Sequence, residues 1–124
     1  MGMICNIFYE EKYDKKFLSD CEFYGIDTYT LVKPGNCIDT TGPGVYMFLQ
    51  GYSYNLIPYY IGSADNLKRR VKGHKKYKPY TPILFVEVSD KKLAGRVETD
   101  WIAMFFDTLE NNMKMLRGAR PCRT

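Results

Sequence analysis

Two short runs of β-branched, aromatic and aliphatic residues, Val45 to Leu49 and Leu56 to Ile61, flank the segment Gln50-Gly51-Tyr52-Ser53-Tyr54-Asn55. Spaced this closely, they read as an antiparallel hairpin whose loop is longer than the tightest turn types. The residues after it continue a small mixed fold. Ser63 or Asp65 offers a side-chain oxygen to the free N–H groups of a helix running to about Lys76, with Leu67 and Val71 as its buried seam. Pro79 and Pro82 end that segment, and Ile83 to Ser89 reads as a third strand. A second helix follows from Lys91 to about Leu109, with Leu93, Ala94, Val97, Trp101, Ile102, Phe105 and Leu109 on its apolar face. The expected class is therefore α+β, a small three-stranded antiparallel sheet flanked by helices.

The first 41 residues follow a different pattern. Strand-like patches at Ile4 to Tyr9 and Thr28 to Val32 are separated by the charged run Glu10 to Lys16, then come a Pro34-Gly35-Asn36 turn and a break at Thr40-Thr41-Gly42-Pro43-Gly44. Charge divides at the same place. Residues 1–41 carry four Lys or Arg against seven Asp or Glu, whereas residues 42–124 carry fourteen against seven, for a net charge of +4. The expected organisation is an N-terminal extension over 1–41, a core over 42–113 and a basic tail over 114–124.

Several function classes are disfavoured. The longest apolar run, Trp101 to Phe106, is far short of the roughly 20 residues that cross a bilayer. Glu10, Glu11 and Asp14 stand where a secretory signal needs a basic start and an apolar stretch, and Asn6 breaks a myristoylation motif after Gly2, so a cytoplasmic location is expected. Cys5, Cys21, Cys37 and Cys122 form no CxxC pair and the only histidine is His74, which disfavours structural zinc and suggests reduced thiols. Serine or cysteine hydrolysis lacks support, because no GxSxG elbow accompanies His74 and no cysteine lies near it.

Three features carry possible chemistry. Seven of the eighteen cations fall between Lys68 and Lys78; a solvated surface explains such a run, but Arg70 and His74, four apart, border the Leu67/Val71 seam, where a cation needs a partner such as a phosphate. Tyr46 and Tyr60 sit on neighbouring expected strands, where sheet packing with a wet hydroxyl is the ordinary role. Glu98 borders the apolar face of the second helix, a position uncommon for a carboxylate without an ion-pair partner, Arg96 for example, or a metal.

In order, Gly44-Val45-Tyr46, Tyr60-Ile61-Gly62, Ser63 to Arg70, His74, Glu98 and Asn111-Asn112 resemble the GIY-YIG endonuclease family over residues 42–112. The resemblance implies the GIY-YIG nuclease fold and a metal-dependent DNA endonuclease that hydrolyses phosphodiester bonds at one site. It implies Arg70 as the catalytic arginine, Glu98 as the metal ligand, Tyr46 and Tyr60 as the motif tyrosines, His74 as an assisting group, and Asn111 or Asn112 as the family asparagine. Tyr46 would serve as general base or water orienter. Mg²⁺, with Mn²⁺ as substitute, would be the cofactor and DNA the partner, its backbone followed by Lys68, Arg69, Lys72, Lys75 and Lys76. Two departures stand out: Val45 replaces the family Ile, and the linker between Tyr46 and Tyr60 is longer than usual. Ser63 replaces the Lys of excision-repair members, which brings the core nearer the homing endonucleases. The alternative is a catalytically inactive nucleic-acid-binding module of the same fold.

Overall fold

The computed structural model describes residues 6–51, 55–74, 77, 78 and 80–109. Helix α1 spans Glu11–Phe23 and precedes strand β1, Thr30–Val32. The hairpin is β2, Gly44–Gln50, with β3, Ile57–Ala64; then come α2, Leu67–Lys72, β4, Ile83–Glu87, and α3, Lys91–Met104, followed by a single 3₁₀ turn at Phe106–Thr108. All strand pairs are antiparallel and the order is β1-β4-β2-β3. The class is α+β. The three expected strands are joined by a fourth, β1, from within residues 1–41.

Central strand β2 is buried on both faces, which is why it reads as a continuous apolar run rather than an alternating one. Val45, Met47 and Leu49 face a core that also holds Phe8, Phe17, Val97, Trp101, Ile102 and Phe105, so α1 and α3 cover this side. Tyr46 and Phe48 face a second cluster, with Leu67, Val71, Tyr59, Phe85 and Ile38, covered by α2 and its flanking loops.

Helix α1 occupies the charged run that sequence analysis treats only as a separator between strands. Its buried positions are Asp14, Phe17, Asp20 and Cys21, a helical seam in which two of the four residues are acids. Each acid is satisfied. Asp14 accepts from the backbone N–H groups of Ile7 (2.8 Å) and Phe8 (3.0 Å), and Asp20 accepts from Trp101 Nε1 at 3.1 Å and from Lys16 Nζ at 2.5 Å. The hydroxyl of Tyr24 also donates to Asp100, so α1 is bound to α3 by two polar contacts and by the Phe17–Trp101 ring pair. Among the described residues of the first strand-like patch, 6–9, only an isolated bridge between Phe8 and Leu56 forms.

Helix α2 is shorter than expected. Strand β3 continues through Ser63 and Ala64, so the cap is Asn66, whose side chain accepts from Arg69 N–H at 2.9 Å. The helix stops at Gly73, and His74 lies beyond its end rather than on its face. Helix α3 begins where expected, with Asp90 accepting from Leu93 N–H at 2.8 Å. Among the described residues no helix is long and apolar enough to cross a membrane.

Candidate active site

Tyr46 stands opposite Gly62 in the β2–β3 ladder. A Cβ at Gly62 would lie 2.5 Å from the Tyr46 hydroxyl and 2.6 Å from the carbon bearing it, so only glycine lets the phenol cross β3 toward the sheet edge. Gly44 is required for another close approach: its Cβ would lie 2.1 Å from the Val86 carbonyl oxygen. The glycines of both motif tripeptides thus have steric causes.

A bulge brings further aromatics to the same face. Phe48 pairs with Tyr60 and Leu49 with Pro58, which leaves Tyr59 as an extra residue, and Tyr59 and Tyr60 both join the Tyr46 cluster despite being neighbours in sequence. The Tyr60 ring lies 4.3 Å from His74 and 6.1 Å from Tyr46, and His74 also packs edge-on to Tyr46 at 5.9 Å and Phe48 at 5.2 Å. Gly73 and the short turn after it (His74 N–H to Val71 carbonyl, 3.2 Å) fold the imidazole back onto these rings.

Glu98 comes from the opposite side of the sheet. Two positions after buried Ile61, Ser63 faces α3 and its hydroxyl donates to Glu98 Oε1 at 2.6 Å. Glu98 also lies within electrostatic range of Tyr46, Tyr60 and Arg70, and β3 is the outer strand of the sheet. Lower on that edge, residues 7–9 bridge to Leu56 and Thr108 donates to the Pro58 carbonyl oxygen at 2.7 Å.

The electrostatics follow from this half-buried position. Burial raises the Glu98 carboxyl above the ordinary carboxylate range, while the Ser63 hydroxyl and the Arg70 cation oppose the rise. Burial also pushes the Tyr46 phenol upward, reinforced by Tyr60 and opposed by Arg70. Tyr60 is raised by burial as well. The Tyr60 hydroxyl is the polar group facing the Tyr46 phenol and acts on it by charge and by a side-chain hydrogen-bonding contact, but that contact falls short of the distance and angle of a formed hydrogen bond. Tyr46, 1% exposed, is left with a buried hydroxyl that has no hydrogen-bond partner.

Of the expected site residues, Tyr46, Tyr60 and His74 pack together, and Arg70 and Glu98 lie within electrostatic range of both tyrosines. Arg70 is exposed, as are Lys68, Arg69 and Lys72, and Arg69 meets Asp65 at 3.5 Å. Asn111, Asn112, Lys75 and Lys76 lie outside the described residues. Ser63 was not among the expected site residues; its period-two relation to Ile61, with Glu98 on the covering helix, is the signal that could have found it. Among the described residues, no group of three His, Cys, Asp or Glu side chains is placed to hold a metal ion. Two cavities lie elsewhere, one of about 280 Å³ beside Tyr24, Asp27 and Glu87, and one of about 580 Å³ along α1 beside Leu18 and Cys21. Comparison of the chain with models of protein families, with curated proteins and with solved structures finds no match in any of the three.

Proposed function

We propose that this chain is a GIY-YIG-type, metal-dependent DNA endonuclease that hydrolyses a phosphodiester at the edge of β3. The observation that carries the reading is the buried Tyr46 hydroxyl without a partner, enclosed by Tyr60 and His74 and within the electrostatic reach of both Arg70 and Glu98. A buried polar atom left unsatisfied is costly, and a ligand that meets it removes the cost.

In this reading the Arg70 fork holds nonbridging phosphate oxygens and stabilises the charge that grows on them. The phenol of Tyr46, kept protonated by burial, orients the attacking water rather than deprotonating it. As the water oxygen bonds to phosphorus, the bond to the leaving oxygen breaks; the water's proton goes to solvent and the leaving oxygen takes one from solvent, while His74, packed against Tyr60 and Tyr46, holds the rings in place. Glu98 suits a single Mg²⁺ or Mn²⁺: its Ser63 bond engages Oε1 alone, and Mg²⁺ characteristically keeps several waters and takes other ligands from phosphate. When bound there, the ion would supply Lewis-acid stabilisation of the leaving oxygen. Exposed Lys68, Arg69 and Lys72 supply backbone affinity, with Lys75 and Lys76 proposed to extend it.

The test is a cleavage screen over supercoiled plasmid and over duplex, single-stranded, flapped and branched DNA. Cutting is expected with Mg²⁺ and not with chelator, and Arg70→Ala and Glu98→Ala should each abolish it while leaving most DNA affinity. Salt-dependent DNA binding without cutting in Mg²⁺ or Mn²⁺ would transfer the proposal to the inactive binding module.

A further inference from the structure

Exposed aromatic side chains scattered over a surface are ordinary, and Phe23, 76% exposed next to Glu22 at the end of α1, is one. Tyr80, 72% exposed, stands in different company. From Asn66 to Val86 the chain holds seven Lys or Arg and no Asp or Glu, so Tyr80 belongs to a stretch that attracts anions only. Its backbone is held from both sides. The Thr81 N–H (3.1 Å) and hydroxyl (3.0 Å) both donate to the Lys78 carbonyl oxygen, Thr81 is buried, and the Leu49 N–H donates to the Pro82 carbonyl oxygen at 3.0 Å. The ring is thus presented on a fixed turn. In chain order that turn follows a row of rings. Half-buried Tyr60 and His74 meet at 4.3 Å, Phe48 links His74 (5.2 Å) to half-buried Tyr77 (5.8 Å), and Lys78 sets its ammonium 4.6 Å above the Tyr59 ring. Rings and cations together select what neither selects alone. Cations draw the backbone of any nucleic acid. An exposed aromatic face gains only from a base whose own face is free, and in a duplex those faces are stacked on one another.

We infer that the turn carrying Tyr80 is a stacking platform for an unpaired base, and that the substrate is DNA with a single-stranded stretch beside the cut, as in a flap, a branch or a single strand. The platform rests on the endonuclease reading for the cut itself and adds the form of DNA. It uses neither the Tyr46 hydroxyl nor Glu98.

The experiment compares full-length parent, Tyr80→Ala, Tyr80→Trp and Phe23→Ala. Anisotropy of a fluorescein-labelled single strand and of the matching duplex in EDTA gives affinity, cleavage of both and of a flap with Mg²⁺ gives activity, and thermal melting checks the fold. Tyr80→Ala should bind the single strand about tenfold more weakly and the duplex within about twofold of the parent, with the salt slope unchanged because no charge is removed. Tyr80→Trp should keep single-strand affinity, its added indole quenched on binding, and Phe23→Ala should change neither affinity. A folded Tyr80→Ala that binds the single strand like the parent, or that loses as much affinity for the duplex, overturns the platform while leaving the endonuclease reading to the cleavage assay. Should Tyr80→Ala fail to fold, an indole in Tyr80→Trp that the single strand does not quench is the overturning result. Single-strand affinity that depends on Tyr80 in a parent that cuts nothing upholds the platform and ends the endonuclease reading in favour of the inactive binding module. A parent that neither binds nor cuts any DNA form removes both.

Discussion

Replacing Tyr46 with Phe should make the protein more stable and inactive at once. The hydroxyl is buried without a hydrogen-bond partner, a state that costs about 1–3 kcal/mol relative to water. The phenyl ring keeps its place beside Phe48 (5.3 Å) and Tyr60 (6.1 Å), and losing one oxygen over Gly62 relieves crowding while opening little space. The expected gain is about 1–2 kcal/mol, or a Tm rise of roughly 3–6 °C for a chain of this size. Urea unfolding followed through Trp101, the single tryptophan, measures it. If the hydroxyl orients the attacking water, DNA cleavage should fall by about 10² or more. Destabilisation by 1 kcal/mol or more would show that the hydroxyl has a partner in the folded protein. An undiminished cleavage rate would remove it from the chemistry.

Further outcomes follow from the same physics. Because burial raises the Glu98 carboxyl in the folded state, its contribution to stability is intact below its unfolded value of 4.5 and is lost as pH rises through the folded value. Glu98→Gln should therefore be at least as stable as the parent at pH 7 and show no advantage at pH 3.5 in thermal melting; a less stable variant at pH 7 contradicts this. Burial pushes the Cys21 thiol up to about 12, so its contribution is complete below pH 9 and is lost between about pH 9 and 12. Cys21→Ala should flatten the decline of denaturant stability over that range, and an unchanged slope refutes the assignment. Asp20→Ala leaves Trp101 Nε1–H buried without an acceptor and should cost about 2–3 kcal/mol by urea titration, whereas a loss below 0.5 kcal/mol would mean the two helices dock without it.

How much of this was legible depends on whether the decisive contact lies within one element. The hairpin, β4 and α3 show in the sequence because β-branched runs and a 3.6-residue apolar repeat are local signals, and the two glycine-tyrosine tripeptides mark where the chain crosses itself. Helix α1 was hidden because Asp14 and Asp20 fill two of its buried positions, and acids read as solvent-facing until Ile7, Phe8 and Trp101 are seen to supply their donors. Strand β1 falls within the strand-like patch Thr28 to Val32, but at three residues with two of them exposed it has no alternation to show that it joins the sheet beside β4. At the site, Arg70 and His74 were expected on one helix face; Gly73 ends the helix between them, and the imidazole reaches the tyrosines from a turn instead. Ser63 read as a helix cap because β3 passes through its motif without a break, and the local trace of its hydrogen bond to Glu98, 35 positions on, is only the period-two relation to Ile61.

The bulge at Tyr59 has a consequence for how the hairpin tolerates change. Register toward the loop is carried by Ile57 and Pro58, and register toward the site by the residues from Tyr60 onward, with one unmatched residue between them. Slippage introduced by lengthening or shortening residues 50–55 should be taken up at that joint, leaving Gly62 opposite Tyr46. The long linker between the two motif tyrosines is thereby insulated from the geometry it connects, and insertions at the hairpin tip should leave the tyrosine pair in place.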